Sequence, residues 1–276
     1  MPARVNAPGS TYILGWSDAE QDRLIRQAIL LAPMTEQLFR EAGISAGQRV
    51  LDLGSGVGDV AMMVARLVGP SGEVIGIERN ATYIRRARDR IAATGLRNVT
   101  FIQADLNNLA VAGQFDAVVG RLILTFATDA VAVVRSVSRV LRPRGVVAII
   151  EPCWSATLAM NTNVPLFSRL VTTTHELFRR LGIDTERGPN LYRIFQDAGL
   201  SAPSMHLDMH LGDDGAIAEL QTDLLRAVSA DAERHGVSLA ALGDLDTLAD
   251  RIRAELRAAN SPVAYVAMVS AWSRKS

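Results

Sequence analysis

Cysteine is almost missing from this sequence. Cys153 is the single cysteine among 276 residues, so no disulfide can form within the chain, and a reducing, cytoplasmic compartment is expected. The four histidines and this cysteine also lack the spacing of a metal site, such as Cys-x-x-Cys or His-Glu-x-x-His. The sequence therefore predicts neither a disulfide framework nor a bound metal.

The sequence also lacks an excess of charge of either sign and lacks long apolar runs. Lys plus Arg and Asp plus Glu both number 29, so no overall field attracts nucleic acid or an anionic membrane. No apolar run approaches the roughly 20 residues that span a bilayer, and Met1 to Ser10 lack the apolar core of a signal peptide. We therefore expect a cytoplasmic protein that acts on a small molecule, with no nucleic-acid or membrane partner.

The chain is organised around a glycine-rich stretch. Val50 to Leu53 form the short apolar run of a buried parallel strand. Gly54, Gly56 and Gly58 follow at alternate positions, and apolar residues then recur at helical spacing. The pattern predicts a strand, a tight glycine turn and a helix. Such a turn lets a ligand lie against the backbone, beside the unpaired N–H groups where the helix starts.

The next two predicted strands each end in a carboxylate. Glu73 to Ile77 form the second strand, and Glu78 follows it. Val99 to Gln103 form the third strand, and Asp105 lies just beyond it. In doubly wound sheets, ligands bind beyond the carboxyl ends of parallel strands, and an acid after the second strand hydrogen-bonds ribose hydroxyls. The glycine turn and both acids are therefore expected at one rim of the sheet.

With these residues, the stretch from about Val50 to Glu151 resembles the class I S-adenosylmethionine-dependent methyltransferases. The resemblance implies S-adenosyl-L-methionine as cofactor and S-adenosyl-L-homocysteine as product. It places the glycine turn at the methionine part of the cofactor, the acid after the second strand (Glu78) at the ribose and the acid after the third strand (Asp105) at the adenine amino group. The residues expected at the cofactor are Asp52, Gly54, Ser55, Gly56, Gly58, Glu78, Arg79, Asp105 and Leu106, with Tyr12 and Gln27 from N-terminal helices.

Arg121 follows the fourth predicted strand, Phe115 to Gly120. A guanidinium binds a carboxylate in a bidentate fork, so Arg121 is a candidate partner of the cofactor's carboxylate. A surface ion pair with Asp116 or Asp129 is the alternative, and the sequence leaves both open. The other arginines of this region (Arg85, Arg86, Arg88 and Arg90) lie on one predicted helix face, which favours a solvated surface.

The order of elements predicts an α/β fold. The resemblance implies a Rossmann-like seven-stranded sheet of order 3-2-1-4-5-7-6, with strand 7 antiparallel, helices on both faces and a helical cap. We expect a single methyltransferase domain over 1–276. Within it we expect an N-terminal helical cap (1–43), a cofactor-binding core (44–152) and acceptor-cap insertions (153–188 and 212–260).

Three local expectations concern backbone geometry. Pro33 is expected to interrupt the first helix, which then resumes from Met34 to Ala42. Arg144 stands where the family's turn before strand five has a glycine, and it must tolerate the backbone angles of that turn. Strand six is expected over Ser204 to Leu211, with Met205, Leu207, Met209 and Leu211 on one face.

The segment after strand five commonly shapes the acceptor site in small-molecule methyltransferases. By this resemblance the chain methylates a small hydrophobic or aromatic metabolite, as bacterial enzymes of secondary metabolism or quinone-type pathways do. Methylation at oxygen, nitrogen or carbon stays open. The residues expected at the acceptor are Trp154, Met160, Phe167, Leu170, Val171 and Phe178. For each, simple core packing is the alternative.

Methyl transfer mainly needs the nucleophile held in line, and a general base helps a hydroxyl or indole acceptor. His175 in the expected cap and Glu151 at the end of strand five are the candidate catalytic residues. Two alternative functions remain open: a protein that binds the cofactor but catalyses a non-methylating reaction, and a nicotinamide-dependent oxidoreductase. Against the latter, Asp59 stands where the dinucleotide fingerprint requires glycine or alanine.

Overall fold

The computed structural model describes residues 14–106, 111, 113–213 and 215–276. The chain forms two compact units. The helical unit contains the described residues up to Gln27, together with Pro152–Glu186 and Met209–Met268. The sheet unit contains Ala28–Glu151, Arg187–Asp208 and Val269–Ser276. The single-domain organisation with its cap segments stays a prediction.

Seven strands form the main sheet in the order β3-β2-β1-β4-β5-β9-β6. The first five are parallel to their neighbours, and β9 runs antiparallel between β5 and β6. The predicted fold class and strand order are confirmed, because β9 is the last long strand of the chain. The strands are β1 Arg49–Leu53, β2 Glu73–Glu78, β3 Val99–Gln103, β4 Phe115–Arg121, β5 Leu141–Cys153, β6 Ser204–Asp208 and β9 Ala267–Arg274, with β7 Leu211–Gly212 and β8 Val263–Ala264 forming a separate pair.

The helices alternate with the strands up to β5 and then follow one another. They are α1 Asp18–Glu41, α2 Asp59–Val68, α3 Ala81–Thr94, α4 Ala130–Arg139, α5 Trp154–Met160, α6 Pro165–Arg180, α7 Arg187–Asp197, α8 Ala216–Ala232 and α9 Leu248–Ala259. Short 3-10 turns lie at Leu124–Phe126 and Ala240–Leu242. Within the described ranges, none of these helices is both long and apolar enough to cross a membrane.

The central strands β1 and β4 carry the core of the sheet unit. Val50, Leu51 and Leu53 are fully buried, as are Val118 and Val119 on β4. Strands covered on both faces need such continuous apolar runs, which is the reason that these segments are recognisable in the sequence. The same burial fixes the register of β1 against β2 and β4, and with it the ends of the strands at the carboxyl rim.

The break expected at Pro33 is wrong: α1 runs without interruption from Asp18 to Glu41 and contains the proline. A proline in a helix removes one hydrogen bond, here to the carbonyl of Ile29 four residues earlier. Ile29 is 71% exposed, so water can reach this part of the helix and solvate the freed carbonyl. The first turn of α1 is capped by Ser17, because the Glu20 amide donates to Ser17 Oγ at 3.2 Å.

The expected apolar face of strand six is also wrong. The strand ends at Asp208, and Leu207 and Leu211 are 58% and 52% exposed. β6 is an edge strand, and its packing comes from elsewhere: the His206 ring stacks on Trp272 at 5.3 Å between centroids. Alternation alone cannot tell which face of an edge strand will be covered.

Arg144 occupies a left-handed backbone conformation with φ of 62°, as the missing glycine suggested. Two backbone hydrogen bonds to Lys275 hold this turn: the Arg144 amide donates to the Lys275 carbonyl at 3.1 Å, and the Lys275 amide donates to the Gly145 carbonyl at 2.8 Å. A residue with a Cβ pays about 1–2 kcal/mol for this conformation.

Arg144→Gly is therefore expected to raise the free energy of unfolding by about 0.5–1 kcal/mol, after the greater freedom of glycine in the unfolded chain is subtracted. Chemical denaturation measures the change. Arg142→Gly is the matched control, because Arg142 forms an ion pair with Asp116 and is not among the positive-φ residues of the described chain. It should lower stability, and a loss of stability in Arg144→Gly would contradict the strain.

Candidate functional site

The glycine turn between β1 and α2 has a backbone that favours glycine at three positions. Gly54, Gly56 and Gly58 have φ values of 60°, 52° and 91°, in the region that residues with a Cβ rarely adopt. The turn is joined to β2 by the Ser55 amide, which donates to the Ile77 carbonyl at 2.9 Å. It therefore has one fixed shape.

The three glycines differ in what surrounds them. A Cβ at Gly54 would lie 2.3 Å from the Cδ1 atom of Ile123, and one at Gly58 would lie 3.1 Å from the Cβ of Ala87. At Gly56 the nearest atom would be 3.9 Å away. Gly54 and Gly58 thus allow close packing of neighbouring elements, whereas Gly56 faces open space that a ligand can fill.

Glu78 at the end of β2 lies against this turn. Its Oε2 accepts the amide of Gly56 at 3.1 Å, and its Oε1 accepts the amide of Asn80 at 2.8 Å. Burial raises the pKa of Glu78, and the hydrogen bonds from Asn80 and Gly56 oppose this rise. The structure therefore brings the glycine turn and the acid at the end of the second strand together, as their positions in the sequence predicted.

The third strand contributes to the same rim. The amide of Ala104, next to Asp105, donates to the Glu78 carbonyl at 3.1 Å. Asp105 is exposed, while Arg79 and Leu106 are half-buried. An exposed carboxylate beyond the strand end is accessible to a ligand, so the rim offers one buried and one exposed acid.

Two buried oxygen atoms beside the turn have no hydrogen-bond partner. They are Oδ2 of Asp52, on β1, and the hydroxyl of Ser55 in the turn. Burial raises the pKa of Asp52 well above its ordinary value, while the charge of Arg121 and a hydrogen bond from the Ala61 amide oppose the rise. An unsatisfied buried polar atom costs about 1–3 kcal/mol, and a polar ligand at the turn would remove this cost. The residues present thus fit a polar cofactor.

Arg121 ends β4 and donates to Thr35 Oγ1 on α1 at 3.0 Å. Its positive charge opposes the rise in the pKa of Asp52, which precedes the first glycine of the turn by two residues. The two acids that were the alternative surface partners of Arg121 have other contacts. Asp116 forms an ion pair with an arginine of β5, and Asp129 accepts a backbone amide in the first turn of α4.

Arg90 on α3 supports the turn from the side. It donates to the Val57 carbonyl and to the Asp59 carboxylate, both at 2.6 Å. The expectation of a solvated arginine face is therefore wrong for this residue. Its partners lie more than thirty positions earlier in the chain, and no local spacing in the sequence reveals such a pair.

Glu151 near the end of β5 is fully buried, and its carboxylate faces a backbone turn. It accepts the amides of Ile123, Leu124 and Thr125 at 3.0, 2.6 and 3.0 Å. Burial raises the pKa of Glu151 to about 7, while the three amides and the charge of Arg187 oppose this rise. The catalytic role of Glu151 stays a prediction, and its visible role is to hold the turn after β4.

His175 lies in the helical unit within an aromatic cluster. Its ring stacks on Trp154 with 5.6 Å between centroids, and Trp154 meets Phe178 edge-on at 5.5 Å. Nε2 of His175 lies 3.1 Å from the hydroxyl of Thr185. Burial lowers the pKa of His175, and Glu186 opposes this effect. The ring is therefore biased toward its neutral form, which can accept a proton.

The remaining predicted acceptor residues occupy α5 and α6 of the same unit. Phe167, Leu170 and Val171 are buried, whereas Met160 is 54% exposed. Gln27 is buried in this unit too, and its amide donates to the Tyr265 hydroxyl at 2.8 Å. Tyr12 lies outside the described residues. Within the described part of the chain, no group of His, Cys, Asp and Glu side chains is arranged to hold a metal.

A Rossmann-like sheet with a glycine turn and two acids at its carboxyl rim defines a class I S-adenosylmethionine-dependent methyltransferase. Residues 44–199 match the family profile described as a methyltransferase domain. The chain is also 32% identical, over 178 residues, to the ubiquinone/menaquinone biosynthesis C-methyltransferase UbiE of Pseudomonas paraeruginosa, a match that covers 60% of this chain and 70% of that protein. This chain belongs to the methyltransferase family, and the nicotinamide alternative does not apply.

Solved structures share the fold at lower identity. The YcgJ protein of Bacillus subtilis superposes with a TM-score of 0.56 and 18% identity, over 89% of this chain and 97% of that one. The [4+2]-cyclase SpnF gives a TM-score of 0.51 and 19% identity, over 88% of this chain and 80% of that one. A protein named as a cyclase thus has the same fold, so the fold by itself does not fix the reaction.

The raised pKa of Glu151 predicts a pH dependence of stability. Because the pKa is about 7 in the folded protein and about 4.3 in an unfolded chain, this group stabilises the fold fully below the unfolded value, and its contribution is lost as the pH rises through 7. Glu151→Gln removes the titration. The difference in unfolding free energy between wild type and variant should change by roughly 3 kcal/mol over this window.

Denaturation curves of both proteins at a series of pH values measure this difference. Asp52 and Glu78 also have raised pKa values, so the variant keeps part of the pH trend, and only the difference between the curves reports on Glu151. A difference that stays constant with pH would show that the carboxyl does not titrate in this range.

Proposed function

We propose that this methyltransferase transfers the methyl group of S-adenosylmethionine to a ring carbon of a small phenol- or quinol-like metabolite. Two observations support the proposal. A relative that matches this chain over 178 residues is named as a C-methyltransferase of ubiquinone/menaquinone biosynthesis, and the segment after β5 is rich in buried aromatic and aliphatic side chains. A small-molecule partner and a cytoplasmic location belong to the same proposal, supported by the balanced charge and the single cysteine.

The cofactor is proposed to lie at the rim formed by the glycine turn, Glu78 and Asp105. The observation that carries this placement is the open side of Gly56, whose amide is held by the Glu78 carboxylate. An ionised carboxylate has about four acceptor positions, so Glu78 can accept ribose hydroxyls besides its two amides. Asp105 is exposed and suits the adenine amino group, in line with the family.

The polar end of the cofactor is assigned to Asp52, Ser55 and Arg121. Arg121 supplies a guanidinium for the cofactor's carboxylate, and the unpartnered oxygens of Asp52 and Ser55 supply hydrogen-bond acceptors. The bound cofactor supplies a methyl group that is already electrophilic on its sulfonium. Arg79, Leu106, Gln27 and Tyr12 stay predictions for this site.

His175 is proposed as the base that takes a proton from a hydroxyl of the acceptor. A phenolate donates electron density to its ring carbons, so removal of this proton makes a ring carbon more nucleophilic than it is in the neutral phenol. That carbon would take the methyl group as the methyl–sulfonium bond breaks, and loss of the carbon's own proton to solvent would restore the aromatic ring. The burial that lowers the pKa of His175 keeps a ring nitrogen available at neutral pH. The stacking on Trp154 fixes the plane of the imidazole, and Phe178, which packs edge-on against Trp154, suits an apolar ring.

A methyl-transfer assay tests the reaction. The wild-type protein, incubated with S-adenosylmethionine and 1,4-dihydroxynaphthalene as a quinol probe, is expected to give a product one methyl group heavier, with the methyl on carbon by NMR. His175→Gln should reduce kcat by about 100-fold or more while the Kd for the cofactor stays unchanged. Methyl on oxygen, or a protein that binds the cofactor and leaves the quinol unmethylated, would contradict the proposed acceptor.

Gly56→Ala tests the placement of the cofactor. The new methyl group would occupy the open side of the turn, so cofactor binding in calorimetry is expected to weaken by at least about tenfold. The stability should also fall by about 0.5–1 kcal/mol, which is the strain of the left-handed φ less the gain from the smaller freedom of alanine in the unfolded chain. Gly95→Ala is the matched control, because Gly95 has φ of 75° and nothing within 4 Å of an added Cβ, while at Gly56 the nearest atom would lie 3.9 Å away. Both variants share the strain, and only Gly56→Ala should lose affinity. Equal affinities would place the ligand elsewhere.

A further inference from the structure

The turn after β4 is fixed by one buried carboxylate. Glu151 accepts the three successive amides of Ile123, Leu124 and Thr125, with Oε1 taking the first two and Oε2 the third. A carboxylate is the one side-chain group that offers two acceptor oxygens and no donor. Glutamine can accept two of these amides, but it turns an NH2 group toward the third.

The backbone that Glu151 holds is strained. Leu122 has φ of 55°, a conformation that costs a residue with a Cβ about 1–2 kcal/mol and persists only where its surroundings enforce it. The Leu122 amide donates to the Ile150 carbonyl at 2.9 Å. This bond and those of Glu151 together attach the turn to the end of β5.

The turn that Glu151 holds packs the side chain of Ile123 against the glycine turn. Cδ1 and Cγ1 of Ile123 lie 2.3 and 2.7 Å from where a Cβ of Gly54 would be, and Cγ2 lies 3.0 Å from the corresponding point at Gly120. Ile123 thus fills the space that both glycines leave empty. Any shift of the Ile123 backbone would open this packing and release one side of the glycine turn.

We propose that Glu151 is a positioning residue for the cofactor: it holds Ile123 against Gly54 and so keeps the glycine turn in its binding shape. The inference rests on the cofactor site proposed above. It gives the carboxylate a role that does not require contact with the acceptor. Arg187 supports this arrangement, since its charge favours the ionised carboxylate and its Nη2 donates to the Ala127 carbonyl at 3.3 Å.

Calorimetric titration of the full-length protein with S-adenosylmethionine tests the proposal. In Glu151→Gln the Kd should rise about tenfold, the effect of losing one hydrogen bond to a charged acceptor. Ile123→Ala should raise the Kd by a similar factor. The double variant should bind no more weakly than about the weaker single variant, because both changes act through the same contact. Hydrogen exchange should show faster exchange at the amides of residues 123–125 in Glu151→Gln.

Asp116→Asn is the matched control. Asp116 is also an acid that accepts a backbone amide, that of Arg49 at 2.7 Å, but it lies at the start of β4, the opposite end of that strand. Its replacement should leave the Kd unchanged. A purely structural Glu151 would lower the thermal midpoint of Glu151→Gln without changing the Kd of the folded protein.

The proposal is overturned by a folded Glu151→Gln whose Kd is unchanged, or by single effects that multiply in the double variant. If Glu151→Gln does not fold, Ile123→Ala decides alone, and an unchanged Kd overturns the proposal. Failure of the proposed cofactor site looks different: Gly56→Ala would then bind S-adenosylmethionine as tightly as the wild type.

Discussion

The hydrogen bond between the Gly56 amide and the Glu78 carboxylate joins the two parts of the chain on which the site depends. It connects the turn after β1 to the end of β2, and it can form only because the parallel register aligns these strand ends. The glycines give the turn a shape that other residues rarely adopt. The bond to Glu78 then fixes this shape at the rim of the sheet.

Several acids near this rim are buried, and their burial disfavours the ionised carboxylate. Asp52, Glu78 and Glu151 are all buried in the sheet unit, and burial raises the pKa of each. Backbone amides lower these pKa values in part, which keeps the carboxylates useful as acceptors. A group that destabilises the folded state is typical of a functional site, where binding rather than stability decides which residue is present.

Several features of the structure follow from contacts between distant parts of the chain. Arg90 looks like one of several surface arginines, yet it holds Val57 and Asp59. Pro33 looks like a helix end, yet α1 continues past it because the neighbouring surface is exposed. Alternating residues in β6 look like a buried face, yet β6 lies at an edge of the sheet. Local patterns fail here because solvent exposure depends on the neighbours.

The sequence by itself determined the parallel strands, the glycine turn and the acids after β2 and β3, because buried parallel strands and left-handed turns restrict the residue types that can occur. The order of the strands in the sheet was implied by the resemblance to class I methyltransferases, and the structure confirms it. Only the tertiary structure decided that Gly56 is the open glycine, that Ile123 covers Gly54, and that Glu151 holds a backbone turn. These facts depend on which atoms fill a given space. The spacing of residues along the chain cannot show which side chain packs against a given glycine or amide, because these groups meet only after the chain has folded.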